Sequence, residues 1–295
     1  MTRWSEGFVA VDWGTTNRRA YAIDAAGQVV DSDKADAGVL AIAPGGFPSE
    51  VAKLRARFGG LPLLMAGMVG SNRGWIETPY VACPATLADL AAKLCHAEPG
   101  WAAIVPGLSI LDGDRADVMR GEEVQIFGAI ALGAVAERTT ICHPGTHTKW
   151  IAVERARITD FRTIMTGELF ALIRAHSILA PLLAGEAAPG AAFRAGVERG
   201  FATGALGAEL FSIRARALLG RSEAADAPSF ASGLLIGCDL RSGVPDGQDE
   251  VVVVGSPTLT RLYAEALRHI GRRPREIDGA AAFVAGMRAI AETIG

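Results

Sequence analysis

The chain has 295 residues, half of them apolar and about a fifth charged, with 29 Lys and Arg against 32 Asp and Glu for a net charge of −3. That length is generous for one core and comfortable for two domains, and the charge balance argues against a nucleic-acid partner gripped through its phosphates. The longest apolar stretch, residues 126–136, is broken by glycines and far shorter than the roughly 18 residues of a membrane span, and the first residues carry no signal-peptide pattern, so no membrane partner and a cytoplasmic location are expected.

Strand patterns open the chain at 8–11, 19–23 and 28–30, with a Gly27 turn between the last two. A helix follows over 48–58, stopped by Gly59 and Gly60, then a short buried strand over 61–66 and a glycine-rich loop over 67–74. The pattern predicts a helix over 85–96, a strand over 102–105, and a helix over 121–136, where two halves are expected to join. Three more strands fall within 139–169, followed by helices over 168–183, 191–202 and 205–219. A flexible connection is expected over 220–228 and a surface turn over 244–250. A buried strand at 251–254 runs through Gly255, Ser256 and Pro257 into an amphipathic helix over 259–270, the order of an anion or nucleotide site. The last helix, 280–294, is expected to pack back on the first half. Cys83, Cys95, Cys142 and Cys238 have no C-x-x-C spacing and read as reduced.

The chain repeats itself. Residues 7–40 and 139–169 share one layout of strand, Gly-Thr loop, strand, short turn, strand and Gly-x-Leu. Gly14 and Thr15 map onto Gly145 and Thr146 at an offset of 131 (145 minus 14), and Gly38 and Leu40 onto Gly167 and Leu169 at 129 (167 minus 38). Each repeat offers a loop whose backbone N–H groups and threonine hydroxyls suit a phosphate. Two such loops opposed across a cleft suit a nucleoside triphosphate.

The familiar phosphate fingerprints are absent: no two glycines are spaced G-x-G, and Gly145-Thr-His-Thr-Lys149 lacks the second glycine of a P-loop. Asp12-x-Gly14-x-Thr16 instead puts a carboxylate beside phosphate donors, which makes sense when a cation lies between them, and Asp12 is the candidate magnesium anchor. The competing reading is a turn braced by its own aspartate. His143 and His147 have an i, i+4 spacing, but the intervening Pro-Gly-Thr forbids the helix a zinc pair needs. His147 and Lys149 are better placed to face phosphate, although Lys149 reads equally as a solvated strand residue. Glu122 and Glu123 open an apolar helix, where a carboxylate can take a proton from an attacking hydroxyl or simply complement the positive helix end. In the loop, Ser71, Asn72, Arg73 and Trp75 bring together the groups that an acidic sugar would use; the alternative is an exposed loop with a packed Trp75.

Together these strings resemble a known family. Residues 12–17 (DWGTTN), 65–72 (MAGMVGSN), 118–123 (VMRGEE), 144–147 (PGTH) with Lys149 and Trp150, 160–163 (DFRT), 165–169 (MTGEL) and 232–237 (SGLLIG) are similar to 2-dehydro-3-deoxygalactonokinases, of the sugar kinase, Hsp70 and actin clan. The resemblance implies an α/β protein of two duplicated ribonuclease-H-like domains, 1–116 and 117–295, in the actin-like ATPase and sugar kinase fold, with an active-site cleft between them. It implies transfer of the γ-phosphoryl of ATP, with Mg2+, to the C6 hydroxyl of 2-dehydro-3-deoxy-D-galactonate. Asp12, Gly14, Thr15, Thr16 and Asn17 would then serve Mg2+ and the β- and γ-phosphates, and Gly145, Thr146, His147, Thr148 and Lys149 the second phosphate loop. Gly255 and Ser256, with Gly233 and Gly237, would form the adenosine site, Ser71, Asn72, Arg73 and Trp75 the acceptor site, and Glu122 or Glu123 the base. The clan commonly carries Asp in that helix, and Arg18 stands where relatives allow an apolar residue. The competing readings are a kinase for another acidic small molecule, such as 2-dehydro-3-deoxygluconate or pantothenate, and a nucleotide-switched protein without kinase activity; a homodimer is compatible with any of them.

Overall fold

A strand buried on both faces belongs at the centre of a sheet, and β1 (Gly7–Trp13) is such a strand. β2 (Arg18–Asp24) and β3 (Val29–Ala35) extend it on one side as an antiparallel meander. On the other side α1 (Phe47–Arg57) returns the chain to β4 (Leu63–Gly67), parallel to β1. The structure, a computed structural model, describes residues 3–221 and 223–294.

The next segment departs from the expected pattern. β5 (Tyr80–Ala82) precedes α2 (Leu87–Ala91), which spans five residues rather than the predicted 85–96. Thr86 and Asp89 form a reciprocal capping box at its start, but β6 (Cys95–Glu98) leaves the helix to pair antiparallel with β7 (Ala102–Ile104), a tertiary pairing overriding local preference. β8 (Gly107–Asp112) and β9 (Arg115–Met119), unassigned in the sequence reading, form with β5 a separate three-stranded sheet. α3 (Glu122–Ala131) ends five residues earlier than predicted, where Gly133 turns left-handed at φ 66°.

The second repeat gives β10 (Arg138–His143), β11 (Thr148–Glu154) and β12 (Arg157–Ile164). α4 (Thr166–His176) starts two residues before its predicted beginning and stops short of 183. α5 (Ala191–Thr203) and α6 (Leu206–Leu218) fall as predicted, but α7 (Ala227–Gly243) is a buried 17-residue helix that the sequence reading left unassigned. It begins inside the expected 220–228 connection, whose residue 222 lies outside the described residues. β13 (Glu250–Gly255), α8 (Pro257–His269), the unpredicted edge strand β14 (Arg273–Asp278) and α9 (Gly279–Ile294) complete the chain.

The duplication is explicit in the strand orders, β3-β2-β1-β4-β7 in one sheet and β12-β11-β10-β13-β14 in the other, with β6 added to the first. In both, the central strand is parallel to the next, which is parallel to the one beyond. Residues 1–137, 154–160 and 279–295 group as one compact unit, and 138–153 with 161–278 as another. Residues 117–137 thus group with the first unit, where the sequence reading begins the second half at 117.

Each unit has its own core. In the first, Val9, Val11, Trp13, Leu63, Met65 and Ile104 of the sheet pack on Val51 and Leu54 of α1. In the second, Cys142, Trp150, Val251 and Val253 pack on Phe193, Val197, Ile236, Leu262 and Tyr263 of α5, α7 and α8. Burying each large side chain contributes roughly 1.5–3 kcal/mol. All four cysteines are free, as expected. Among the described residues no helix is long and apolar enough to cross a membrane.

Candidate functional site

In the first unit the Gly-Thr loop joins β1 to β2. Gly14 N–H closes the turn on Asn17 O at 2.9 Å, and Asn17 Nδ2 donates to Thr16 Oγ1 at 3.0 Å. Thr15 and Thr16 are exposed. The Gly-x-Leu segment locks the loop from outside: Gly38 N–H donates to Thr16 O at 3.0 Å and Leu40 N–H to Thr15 O at 3.2 Å. Gly38 must be glycine, because a Cβ there would fall onto Thr15 O. The second repeat reproduces the device. Glu168 N–H donates to Thr146 O at 2.9 Å, and a Cβ on Gly167 would fall onto Gly145 O. The two positions paired by sequence therefore do the same work in both units.

Asp12 is the penultimate residue of β1, and Trp13, the last, lies opposite Gly67 at the end of the parallel β4. Gly67 (φ 93°) passes close enough that a Cβ would sit 2.8 Å from Trp13 O, and Gly121 (φ 107°) stacks in turn on Gly67, its Cβ position 3.2 Å from Gly67 Cα. These close backbone approaches require glycine and bring the start of α3 to the carboxyl ends of the parallel strands. Ligands of open α/β sheets bind at such ends. Burial pushes the Asp12 carboxyl above its ordinary range; Arg19, donating at 3.1 Å, pulls it back and the charge of Glu122 pushes it up again. Asp12 and Glu122 thus share one electrostatic neighbourhood.

The two glutamates separate in the structure. Glu123 is fully buried, and both its carboxyl oxygens accept the Gly121 N–H, at 2.8 and 2.7 Å. Burial first and the neighbouring Glu122 second push its pKa up to about 8, against the pull of that N–H. Glu122 is only half-buried, its carboxylate accepting from Arg120 N–H at 3.0 Å. Arg120 also grips the glycine-rich loop after β4. Its guanidinium donates to Thr78 Oγ1 and, at 2.9 Å, to Thr78 O, and lies 4.3 Å from the Tyr80 ring centroid, while Thr78 N–H donates to Gly70 O at 2.9 Å.

Within the loop, Ser71 is buried and its hydroxyl is engaged locally, donating to Met68 O at 2.7 Å and accepting from Arg73 N–H at 3.2 Å. Trp75 packs half-buried against the core. Asn72 and Arg73 are exposed, and Arg73 joins no ion pair among the described residues. Arg18 is structural: 8% exposed, it pairs with Asp33 at 3.4 Å and Glu50 at 3.3 Å and lies 5.4 Å from the Trp13 ring centroid.

In the second unit Gly145, Thr146 and His147 remain partly or fully exposed, with His147 on Glu168, while Thr148 and Lys149 are buried. Lys149 is not the solvated strand residue considered above; Nζ donates to Thr163 Oγ1 at 2.7 Å. Gly255 lies beside Pro144, its Cβ position 3.5 Å away, so the loop after β10 and the turn after β13 adjoin at the carboxyl ends of parallel strands. Ser256 is the N-cap of α8, and no side chain caps that helix start. Gly233 and Gly237 are turned instead to α5, where a Cβ on either would strike the backbone carbonyl of Phe193 or Val197. Asp239, missed in the sequence, is fully buried at the hub of a polar network reaching Thr148. The lone acid within the apolar run 231–240 is the signal that could have found it.

Residues 12–290 match the 2-keto-3-deoxy-galactonokinase family. A 2-dehydro-3-deoxygalactonokinase of Escherichia coli (strain K12) is 37% identical over 293 residues, covering 97% of this chain and 98% of that protein. The crystal structure of a protein assigned as a 2-dehydro-3-deoxygalactonokinase from Sinorhizobium meliloti superposes with a TM-score of 0.92 at 37% identity, covering 97% of this chain and 99% of that one. Component A of (R)-2-hydroxyglutaryl-CoA dehydratase from Acidaminococcus fermentans shares the fold alone, with a TM-score of 0.50 at 12% identity over 97% of this chain and 96% of that one.

Proposed function

The chain belongs to the 2-keto-3-deoxy-galactonokinase family, and from that premise we propose how its own residues carry out the reaction. It is an ATP-dependent kinase that phosphorylates 2-dehydro-3-deoxy-D-galactonate, at the C6 hydroxyl, in galactonate breakdown. Such chemistry is mostly positioning and charge stabilisation, with a base to receive the hydroxyl proton.

Glu122 is the base. It is half-buried and beside Asp12, whereas Glu123 is sealed inside and occupied with Gly121 N–H. Glu123 is the strut that holds the start of α3. Gly14, Thr15, Thr16 and Asn17 cradle one end of the phosphate chain, and Gly145, Thr146 and His147 serve the other loop. The uncapped N-terminus of α8, with Gly255 and Ser256, receives the nucleoside end or its nearest phosphate, as helix starts favour anions. Arg73, with Asn72, takes the acceptor carboxylate through its planar fork.

The donor set fits Mg2+, which is bound by one or two carboxylates together with substrate phosphates. Asp12 would hold it with Glu122 nearby, and a cation there would relieve the burial and like charge that raise Asp12. Bound Mg2+ would neutralise charge on the β- and γ-phosphate oxygens.

The observation that carries these assignments is the meeting of Asp12 and Glu122 beside an open Gly-Thr loop. A coupled ADP-release assay with Mg-ATP tests the whole reading, offering 2-dehydro-3-deoxy-D-galactonate, its gluconate epimer and pantothenate side by side. Turnover with the galactonate derivative well above the others is expected; ADP release that depends on none of the three would overturn it.

A further inference from the structure

Asp239 sits on α7, two residues beyond Gly237, and is 1% exposed. Donors from three different elements close on its carboxylate: Trp150 Nε1 of β11 at 2.6 Å, Thr166 Oγ1 at the start of α4 at 2.5 Å, and the Tyr263 hydroxyl of α8. With the Tyr263 proton directed to Asp239, the Tyr263 oxygen accepts from Thr148 Oγ1 at 2.8 Å. A buried carboxylate requires this kind of saturation, because an unpaired charge in the interior is costly. Burial raises the Asp239 carboxyl above its ordinary range, and the three donors and Thr148 pull it back. Four residues along α7, Gly243 leaves the room that the Trp150 ring fills.

The elements tied by this one carboxylate all border the open end of the second unit. Thr148 closes the loop that starts at Gly145. Thr166 immediately precedes Gly167, whose missing Cβ lets α4 settle on the same loop. Tyr263 lies in α8, whose first residue follows Gly255 and Ser256. We propose that Asp239 is a positioning residue for the nucleotide: it holds the phosphate loop at 145–148, the entry to α4 and the N-terminus of α8 in one register while touching neither nucleotide nor acceptor. The inference rests on the kinase reading and adds to it a part that lies outside the reacting groups. Trp150 binds the same carboxylate from a strand, so it supplies a control that perturbs the network without releasing the hydroxyls.

The test compares Asp239→Asn, Tyr263→Phe and Trp150→Phe with the parent protein, at a temperature where circular dichroism shows all four folded. In the ligand-free proteins, hydrogen exchange at residues 145–148 and 166–169 is expected to quicken in Asp239→Asn and Tyr263→Phe relative to β13, and to stay at the parental rate in Trp150→Phe. The KM for ATP is expected to rise about tenfold in Asp239→Asn, equivalent to about 1.4 kcal/mol of lost binding, with the acceptor KM unchanged. A merely structural role would lower the melting temperature of all three variants and leave that KM split absent. A parent that binds no ATP in a calorimetric titration would sink the kinase reading and the nucleotide half of this one with it. A parent that binds ATP no more tightly than Asp239→Asn, with exchange at 145–148 unchanged, would overturn this inference alone.

Discussion

Glu122 and Glu123 are adjacent in sequence, yet the start of α3 sends their carboxyls into different surroundings, and each difference is measurable. Glu122→Gln should reduce kcat by about 10²–10⁴-fold, the range for loss of a general base, with the ATP KM little changed. Glu123→Gln, read by the same steady-state assay, should stay within a few-fold of the parent; a collapse of kcat there with Glu122→Gln active would reverse the assignment. Glu123 has a second signature in pH. Its folded pKa of about 8 stands above the ordinary 4.5, so between those values the folded chain keeps a proton that the unfolded chain has released. Stability from this group is full below about pH 4.5 and is lost as pH rises through about 8. The melting temperature of Glu123→Gln relative to the parent should therefore climb from pH 5 to about pH 9, followed by calorimetry. Arg18 is the complementary case: it directly follows the phosphate-loop string at 12–17, yet its guanidinium is consumed by Asp33, Glu50 and the Trp13 ring.

At the level of elements, α5 and α7 cross through four glycines. Gly196 and Gly200 face α7, Gly233 and Gly237 face α5, and a Cβ on any of them would meet the partner helix's backbone. Gly237→Ala should thus cost about 3 kcal/mol through overpacking and lower the melting temperature, while the ATP KM measured on the folded fraction stays at the parental value. A raised ATP KM without loss of stability would restore Gly237 to the adenosine site. These elements also show what a sequence can reveal. The two Gly-Thr loops and their Gly-x-Leu locks were legible because each is a local device repeated with its glycines intact. α7 was not, since its residues are buried on opposite faces and give no one-sided apolar stripe to read. β8 and β9 form a local hairpin turning at Gly113 and Asp114, whereas β5 and β14 are edge strands whose identity comes from partners far along the chain. The Asp239 network was hidden for the same reason: Trp150, Thr166 and Tyr263 lie 89, 73 and 24 residues from it.

Taken as a whole, the molecule is two related α/β units made by one chain that leaves the first unit after residue 137, revisits it at 154–160 and returns to it at 279. Mg-ATP binds only the folded chain on the reading above, so at one hundred times Kd it should add about 2.7 kcal/mol to stability. Differential scanning calorimetry should show that as a rise of several degrees in at least one transition, and an unmoved thermogram would count against nucleotide binding. The return at 279 has its own consequence. Gly128 of α3 and Gly286 of α9 each lack the Cβ that would strike the other helix, and Phe283, Met287 and Ile290 of α9 are buried. On the ribosome, residues 1–137 therefore emerge with the seat for α9 still vacant, and more than 140 further residues (279 minus 137) must be synthesised before it is filled. The nascent first unit must carry that apolar seat through nearly half of translation, which makes elongation speed and chaperone access part of how this kinase reaches its folded state.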